Sequence, residues 1–123
     1  MGVIVARCEL FNDTAKQYLI PGSAARKSYD MFLKTKNENP TALHGSVDKF
    51  NPAGTPMAMI IPKIRHAHLA GGDLSIFYTI LGAPTVLKLY AVLTHDEAGT
   101  GQPLDRKKNK RMGTKMSHQD FIR

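Results

Sequence analysis

The chain has 123 residues, a formal net charge of +7 and one cysteine, Cys8. This length supports one hydrophobic core, and a composition of 42% hydrophobic and 22% charged residues is typical of a globular protein rather than a disordered one. A lone cysteine cannot form an internal disulfide, the apolar runs are far shorter than the roughly 20 residues of a membrane span, and no signal-peptide pattern opens the chain. We therefore expect a single domain over residues 1–123 that lies in the cytoplasm and has no membrane partner.

The N-terminal third predicts one strand and two helices. Residues 3–8 are short and rich in β-branched side chains, which favours an opening strand. Residues 12–14 offer capping side chains for a brief helix that ends near Tyr18. Ser23 can cap a second helix from Ala24 to about Lys36, whose apolar residues recur at spacings of three and four.

Residues 37–62 contain four prolines and two glycines, a composition that interrupts regular structure. We expect an irregular connection here, with one short edge strand at Met57–Ile61. A connection of this length is uncommon in a small domain, which indicates either a functional loop or an additional element.

Three antiparallel strands in meander order are predicted next, over residues 64–69, 74–81 and 86–93, separated by glycine-containing turns. On the last strand, alternation predicts one apolar face and a wetter face that carries Lys88. The residues expected on the apolar face are Leu87, Leu89, Ala91 and Leu93. Asp105 can then cap a final basic helix.

Positive charge is concentrated in the tail. Residues 105–123 hold seven of the 17 Lys and Arg residues but only two of the ten Asp and Glu residues. A cationic element of this kind, attached to a small sheet, is typical of a protein that binds a polyanion such as nucleic acid.

His66 and His68 are two residues apart on a predicted strand, so their side chains point to the same face. Together with His95 and Asp96 they could chelate a metal, although a histidine pair alone is weak evidence for one. The interpretation we favour needs no metal or other cofactor. Histidines act as acid and base while Arg and Lys stabilise charge, so that the 2′-hydroxyl of RNA attacks the adjacent phosphate.

Four segments resemble the YafO family of bacterial toxins, which belongs with the RelE/ParE-like toxins of type II toxin–antitoxin systems. These segments are residues 65–69 (RHAHL), residues 73–78 (DLSIFY), the strand of residues 91–93 (AVL) and residues 105–106 leading into residues 111–116 of the basic helix. The resemblance covers roughly residues 63–120, and the loop over residues 94–103 departs from the family pattern.

The resemblance implies an α+β fold, in which N-terminal helices pack on a twisted antiparallel sheet and a short basic helix ends the chain. It also implies a ribosome-dependent messenger-RNA endonuclease that inhibits translation and is held inactive by an antitoxin encoded nearby. The expected partners are therefore messenger RNA, the ribosome and that antitoxin.

Site residues follow from the resemblance and from the chemistry of the side chains. The catalytic candidates are His66, His68, Tyr78 and Arg106, which match the family pattern, and His95, which does not. The candidates for contacts to RNA and the ribosome are Arg65, Lys107, Lys108, Lys110, Arg111 and Lys115. Asp73 is expected to cap or orient a turn.

Two other functions remain open at this stage. A ParE-like inhibitor of DNA topoisomerase would use the tail and sheet to bind protein, and its histidines would be dispensable. A non-catalytic nucleic-acid-binding module would bind with a steep salt dependence and would not cleave.

Overall fold

The computed structural model describes residues 2–123, which form a five-stranded sheet and five helices. In chain order the elements are β1 (Ile4–Arg7), α1 (Glu9–Tyr18), α2 (Ala24–Glu38), β2 (Asp48–Phe50), α3 (Pro56–Ile60), β3 (Arg65–Leu69), β4 (Leu74–Leu81), β5 (Val86–Leu93), α4 (His95–Ala98) and α5 (Arg106–Ser117). The strand order is β1-β5-β4-β3-β2; β1 runs parallel to β5, and the other neighbours are antiparallel. The predicted α+β class is confirmed. None of the helices within residues 2–123 has the length and apolar character needed to cross a membrane.

The first helix begins earlier than its predicted cap. Cys8 caps α1 by accepting a hydrogen bond at Sγ from the backbone N of Phe11, at 3.4 Å. Thr14 lies inside the helix, where its hydroxyl donates to the Leu10 carbonyl and accepts a hydrogen bond from Val92 N of β5. The predicted cap at residues 12–14 is therefore wrong, whereas the Ser23 cap of α2 is confirmed.

The connection between α2 and β3 contains two elements, and the predicted strand at Met57–Ile61 is wrong. Pro56 occupies the first turn of α3, where its missing N–H would have no helical partner, so the apolar run that follows becomes a short helix. The edge strand is instead β2, which pairs with β3 so that Lys49 lies opposite His66.

The predicted meander of β3, β4 and β5 is confirmed, but a bulge changes which residues share a face. Phe77 pairs with Ala91 and Tyr78 pairs with Leu89, which leaves Tyr90 without a partner. One extra residue reverses the alternation along a strand. Leu87 and Leu89 therefore share a face with Tyr78, whereas Ala91 and Leu93 lie on the opposite face; the prediction that all four share a face is wrong.

Both faces of the sheet carry helices, which also corrects the expectation of one covered and one wet face. We call the face that bears Tyr78 the α1–α2 face, because α2 packs there through Phe32, whose ring centroid is 5.0 Å from that of Tyr78. The opposite face, which bears His66 and Phe77, lies beneath α3, α4 and α5. Buried apolar side chains lie on both sides of the sheet, so the core is continuous through it.

Helix α5 crosses α3 closely at a glycine. A Cβ built on Gly113 would lie 3.0 Å from the Met57 Cα, so this position requires the smallest residue. Asp105 caps the helix, as predicted, by accepting a hydrogen bond from Lys108 N at 3.1 Å. The close crossing holds α5 against α3.

Candidate functional site

A cleft of about 450 Å³ lies on the face beneath α3–α5, at the end of the sheet where β2 and β3 meet the loop after α4. Its floor carries His66 and His68 of β3, and His95 of α4 stands at its side. We call this space the imidazole cleft. The residues that line it are Val47, Lys49, Asn51, Pro52, Thr55, His66, His68, His95, Thr100, Gly101, Gln102 and Leu104.

His66 is held as a neutral imidazole. Burial, followed by the charges of His68, Lys49 and His95, lowers the pKa of His66 to about 4. Its Nδ1 lies 2.7 Å from the side-chain oxygen of Asn51, an acceptor, so Nδ1 carries the proton. The lone pair is therefore on Nε2, which is the state required of a general base.

His68 and His95 face each other across the cleft. Their ring centroids are 5.5 Å apart in an edge-to-face arrangement, and the rings of His66 and His68 are 6.0 Å apart. Burial lowers the pKa of His68, with a further contribution from the charge of His95. Three imidazoles predicted from the sequence therefore meet in one place.

Asp73 orients His95. Its carboxylate contacts His95 Nδ1, and it also accepts a hydrogen bond from the backbone N of His95 at 3.2 Å. The contact assigns the Nδ1 proton and leaves Nε2 free for substrate, the arrangement by which a carboxylate fixes a catalytic histidine. Asp73 thus does more than orient a turn.

The cleft does not present a ready metal site. Over residues 2–123, no group of three or more His, Cys, Asp or Glu side chains is arranged to hold a metal ion. What the arrangement offers is two imidazoles whose pKa values are lowered by burial, a third imidazole oriented by a carboxylate, and a lysine that lines the same cleft.

Tyr78 is not part of this site, and the expectation that it would join the histidines is wrong. It is fully buried on the α1–α2 face, where its hydroxyl donates to Asp48 Oδ1 and accepts from Arg65 Nε. Burial, together with the Asp48 carboxylate, raises its pKa. The physical reason is strand alternation, since Tyr78 follows Phe77, which faces the histidines.

Arg65 and Lys36 belong to the same buried network around Asp48. Lys36 Nζ lies 2.6 Å from Asp48 Oδ2, and an Arg65 guanidinium nitrogen lies 3.6 Å from Asp48 Oδ1. Burial alone would raise the pKa of Asp48, but hydrogen bonds from Lys36, Tyr78 and the backbone N of His44 bring it below its ordinary value. This network fastens the chain between α2 and β2 to the sheet.

The cations of α5 lie outside the imidazole cleft. Arg106, Lys107 and Lys110 line a separate groove of about 340 Å³, whose other side is formed by Pro56, Met59 and Ile60 of α3. Lys108 is on the other flank, where Nζ bonds Asp96 Oδ1 of α4 at 2.9 Å. Arg111 and Lys115 are exposed. The predicted catalytic role of Arg106 therefore has no support from its position.

Lys49 and Asn51 are two polar residues of the cleft that were not predicted from the sequence. Both lie in or beside β2, a strand of three residues too short to show alternation, in a segment broken by prolines. Among residues 2–123, Lys49 is the only Lys or Arg residue that lines the cleft. Its pairing with His66 across β2 and β3 is a tertiary contact that no local pattern signals.

The chain matches no protein-family model, and comparisons with curated proteins and with solved structures gave no significant match.

Proposed function

We propose that the protein is a metal-independent endoribonuclease of the toxin class, which cuts messenger RNA on the ribosome and so inhibits translation. The convergence of three imidazoles and Lys49 in one cleft, with Asp73 on His95, carries the cleavage part of this proposal. The resemblance of residues 65–69, 73–78 and 105–116 to YafO-family toxins supports the ribosomal part. A protein that acts on ribosomes would work in the cytoplasm.

In this reaction a neutral histidine takes the proton of the 2′-hydroxyl, and the 2′-oxygen attacks the adjacent phosphorus. The bond from phosphorus to the 5′-oxygen breaks, a 2′,3′-cyclic phosphate forms, and the leaving oxygen receives a proton. His68 is the more accessible base, with His66 beside it, and His95 supported by Asp73 is the acid. Lys49 stabilises charge on the phosphate oxygens.

Basic helix α5 supplies the contacts to ribosomal and messenger RNA in this proposal. It carries six Lys and Arg residues and no acidic residue. Cations that do not share the cleft contribute affinity and orientation rather than chemistry. An acidic antitoxin segment with apolar side chains suits the groove between α3 and α5, because that groove combines Met59 and Ile60 with three cations.

A non-catalytic nucleic-acid-binding module is the second candidate. The observation that favours it is the separation of Arg106, Lys107 and Lys110 from the histidines. Such a protein would bind RNA through α5 alone, and the imidazole cleft would have no effect on the integrity of the message.

Primer extension on message bound to purified ribosomes, in the presence of a chelator, separates the two candidates. We expect the wild type to cut message, and His68→Ala and His95→Ala each to lower the rate by about 10²- to 10⁴-fold, the usual contribution of a general acid or base. The matched control is His118→Ala, because His118 is exposed and does not line the cleft; it should cut at the wild-type rate. Intact message with the wild-type protein would leave the binding module as the better account.

A further inference from the structure

We propose that Phe50 forms a nucleobase-stacking subsite for single-stranded RNA, next to the imidazole cleft and across the edge of the sheet. This inference rests on the proposed function, because it describes how the same substrate extends beyond the cleft. Phe50 is unusually exposed for an aromatic residue of this chain: 55% of it is accessible, and every other Phe or Tyr in residues 2–123 is buried or partly buried.

The ring of Phe50 is held in place on one side. The Arg65 guanidinium carbon lies 4.4 Å from the ring centroid. Arg65 is itself fixed, because its Nε donates to the Tyr78 hydroxyl at 3.0 Å and another nitrogen donates to the Asp48 carbonyl at 3.3 Å. A stacked guanidinium attached to a buried network orders the aromatic ring before any ligand arrives, which lowers the entropic cost of binding.

Phe50 also lines a cavity of about 400 Å³, which we call the Phe50 cavity. Its other walls are Asn51, Ala53, Ala58, Pro62, Lys63 and Ile64. Lys63 brings a cation to this cavity. Its backbone φ is 65°, and among residues 2–123 it is the only residue other than glycine with a positive φ. An aromatic face beside a lysine is the combination that proteins use to stack a base and hold its phosphate.

The Phe50 cavity adjoins the imidazole cleft, because Asn51 lines both. Lys49 and Phe50 are successive residues of β2, so they point to opposite faces of the edge strand. A single strand can therefore place one phosphate beside Lys49 and the histidines, pass over the edge at Asn51, and stack a neighbouring base on Phe50. Single-stranded nucleic acid suits this path because it has a lysine at each end, Lys49 and Lys63, and an exposed aromatic ring beside the second.

The test uses the fact that the chain contains no tryptophan. Phe50→Trp introduces a single fluorophore at the subsite, and Met31→Trp, at a 54% exposed position on α2, is the matched control. Each variant is titrated with a short single-stranded RNA whose riboses are 2′-O-methylated, so that it cannot be cleaved. Fluorescence anisotropy of a dye on the RNA reports binding in the same samples.

We expect quenching in Phe50→Trp that saturates together with the anisotropy, and no quenching in Met31→Trp. Phe50→Ala should weaken RNA binding by about 10-fold, in line with the loss of one stacked base. RNA binding without quenching in Phe50→Trp overturns the proposal, as does equal quenching in both tryptophan variants or the absence of binding. Unchanged RNA affinity in Phe50→Ala also overturns it.

The outcome is distinguishable from that of the proposed function. Quenching in Phe50→Trp without cleavage of message on ribosomes retains the subsite and removes the nuclease. Cleavage without quenching retains the nuclease and removes the subsite. Circular dichroism of each variant confirms the fold, which a change at a half-exposed position on an edge strand should leave intact.

Discussion

At the scale of single residues, Lys49 contributes to the pKa of two neighbouring histidines. It lies opposite His66 across β2 and β3, and its charge contributes to the lowered pKa of both His66 and His68. Burial is the larger cause in both cases. A base whose pKa is lowered stays unprotonated to a lower pH, so cleavage should be lost only as the pH falls through that lowered pKa.

Lys49→Gln should therefore move the acidic limb of the pH–rate profile to higher pH, because removing the cation raises the pKa of the histidines. The rate at neutral pH should also fall by about 10-fold through the loss of charge stabilisation at the phosphate. Cleavage rates measured from pH 3.5 to 8 give both quantities. Lys16→Gln, an exposed change on α1, serves as the control. An acidic limb that does not move would show that the charge of Lys49 has no effect on the pKa of the base.

At the scale of elements, Asn109 joins three helices. It is fully buried on α5, its side-chain nitrogen donates to the Ala98 carbonyl at 2.9 Å, and its side-chain oxygen accepts from Met57 N at 2.9 Å. Ala98 ends α4, whose first residue is His95, and Met57 belongs to α3. One buried amide thus links α5 both to α3 and to α4, the helix that carries His95.

Asn109→Ala should lower the free energy of unfolding by about 3 kcal/mol, because it leaves a buried carbonyl and a buried N–H without partners. Urea unfolding at neutral pH measures this change. The control, Asn12→Ala, alters an exposed asparagine of α1 and should shift the free energy of unfolding by no more than about 0.5 kcal/mol. A loss below about 1 kcal/mol for Asn109→Ala would mean that the helices hold together without it.

At the scale of the whole molecule, the helices are divided between the two sides of the sheet. Basic helix α5 lies on the side of the imidazole cleft, while α1 and α2 cover the other side. Lys108, Arg111 and Lys115 recur at spacings of three and four, so they share the flank that meets α4 through Asp96. This flank is the surface that we expect to meet RNA phosphates.

The double variant Arg111→Gln/Lys115→Gln should bind non-cleavable single-stranded RNA with a weaker salt dependence. Loss of two phosphate contacts should reduce the slope of log K against log salt by about 1.4, since each contact to a single strand contributes about 0.7. Titrations at several salt concentrations measure the slope. Lys16→Gln/Lys27→Gln removes the same charge from α1 and α2, and it should keep the wild-type slope. Equal effects of the two double variants would show that net charge, rather than this flank, governs binding.

Much of the element order could be predicted because local patterns encode it. The Ser23 and Asp105 caps, the glycine turns and the three strands β3 to β5 each follow from a few neighbouring residues, and all are present in the structure. The exception is the alternation along β5, which the bulge at Tyr90 interrupts. Met57–Ile61 misled the prediction because five apolar residues suit a strand or a helix equally, and only Pro56 and the contact with α5 decide between them.

The chain by itself determined which chemistry is available: three histidines near two strands, a basic terminal helix and one cysteine. Only the tertiary structure decided which of these groups meet. Pairing of β2 with β3 brought Lys49 to His66, the bulge at Tyr90 redistributed β5 between two faces, and alternation along β4 buried Tyr78 away from the cleft. These outcomes depend on strand register, which is set by contacts between residues distant in sequence and so leaves no local signal.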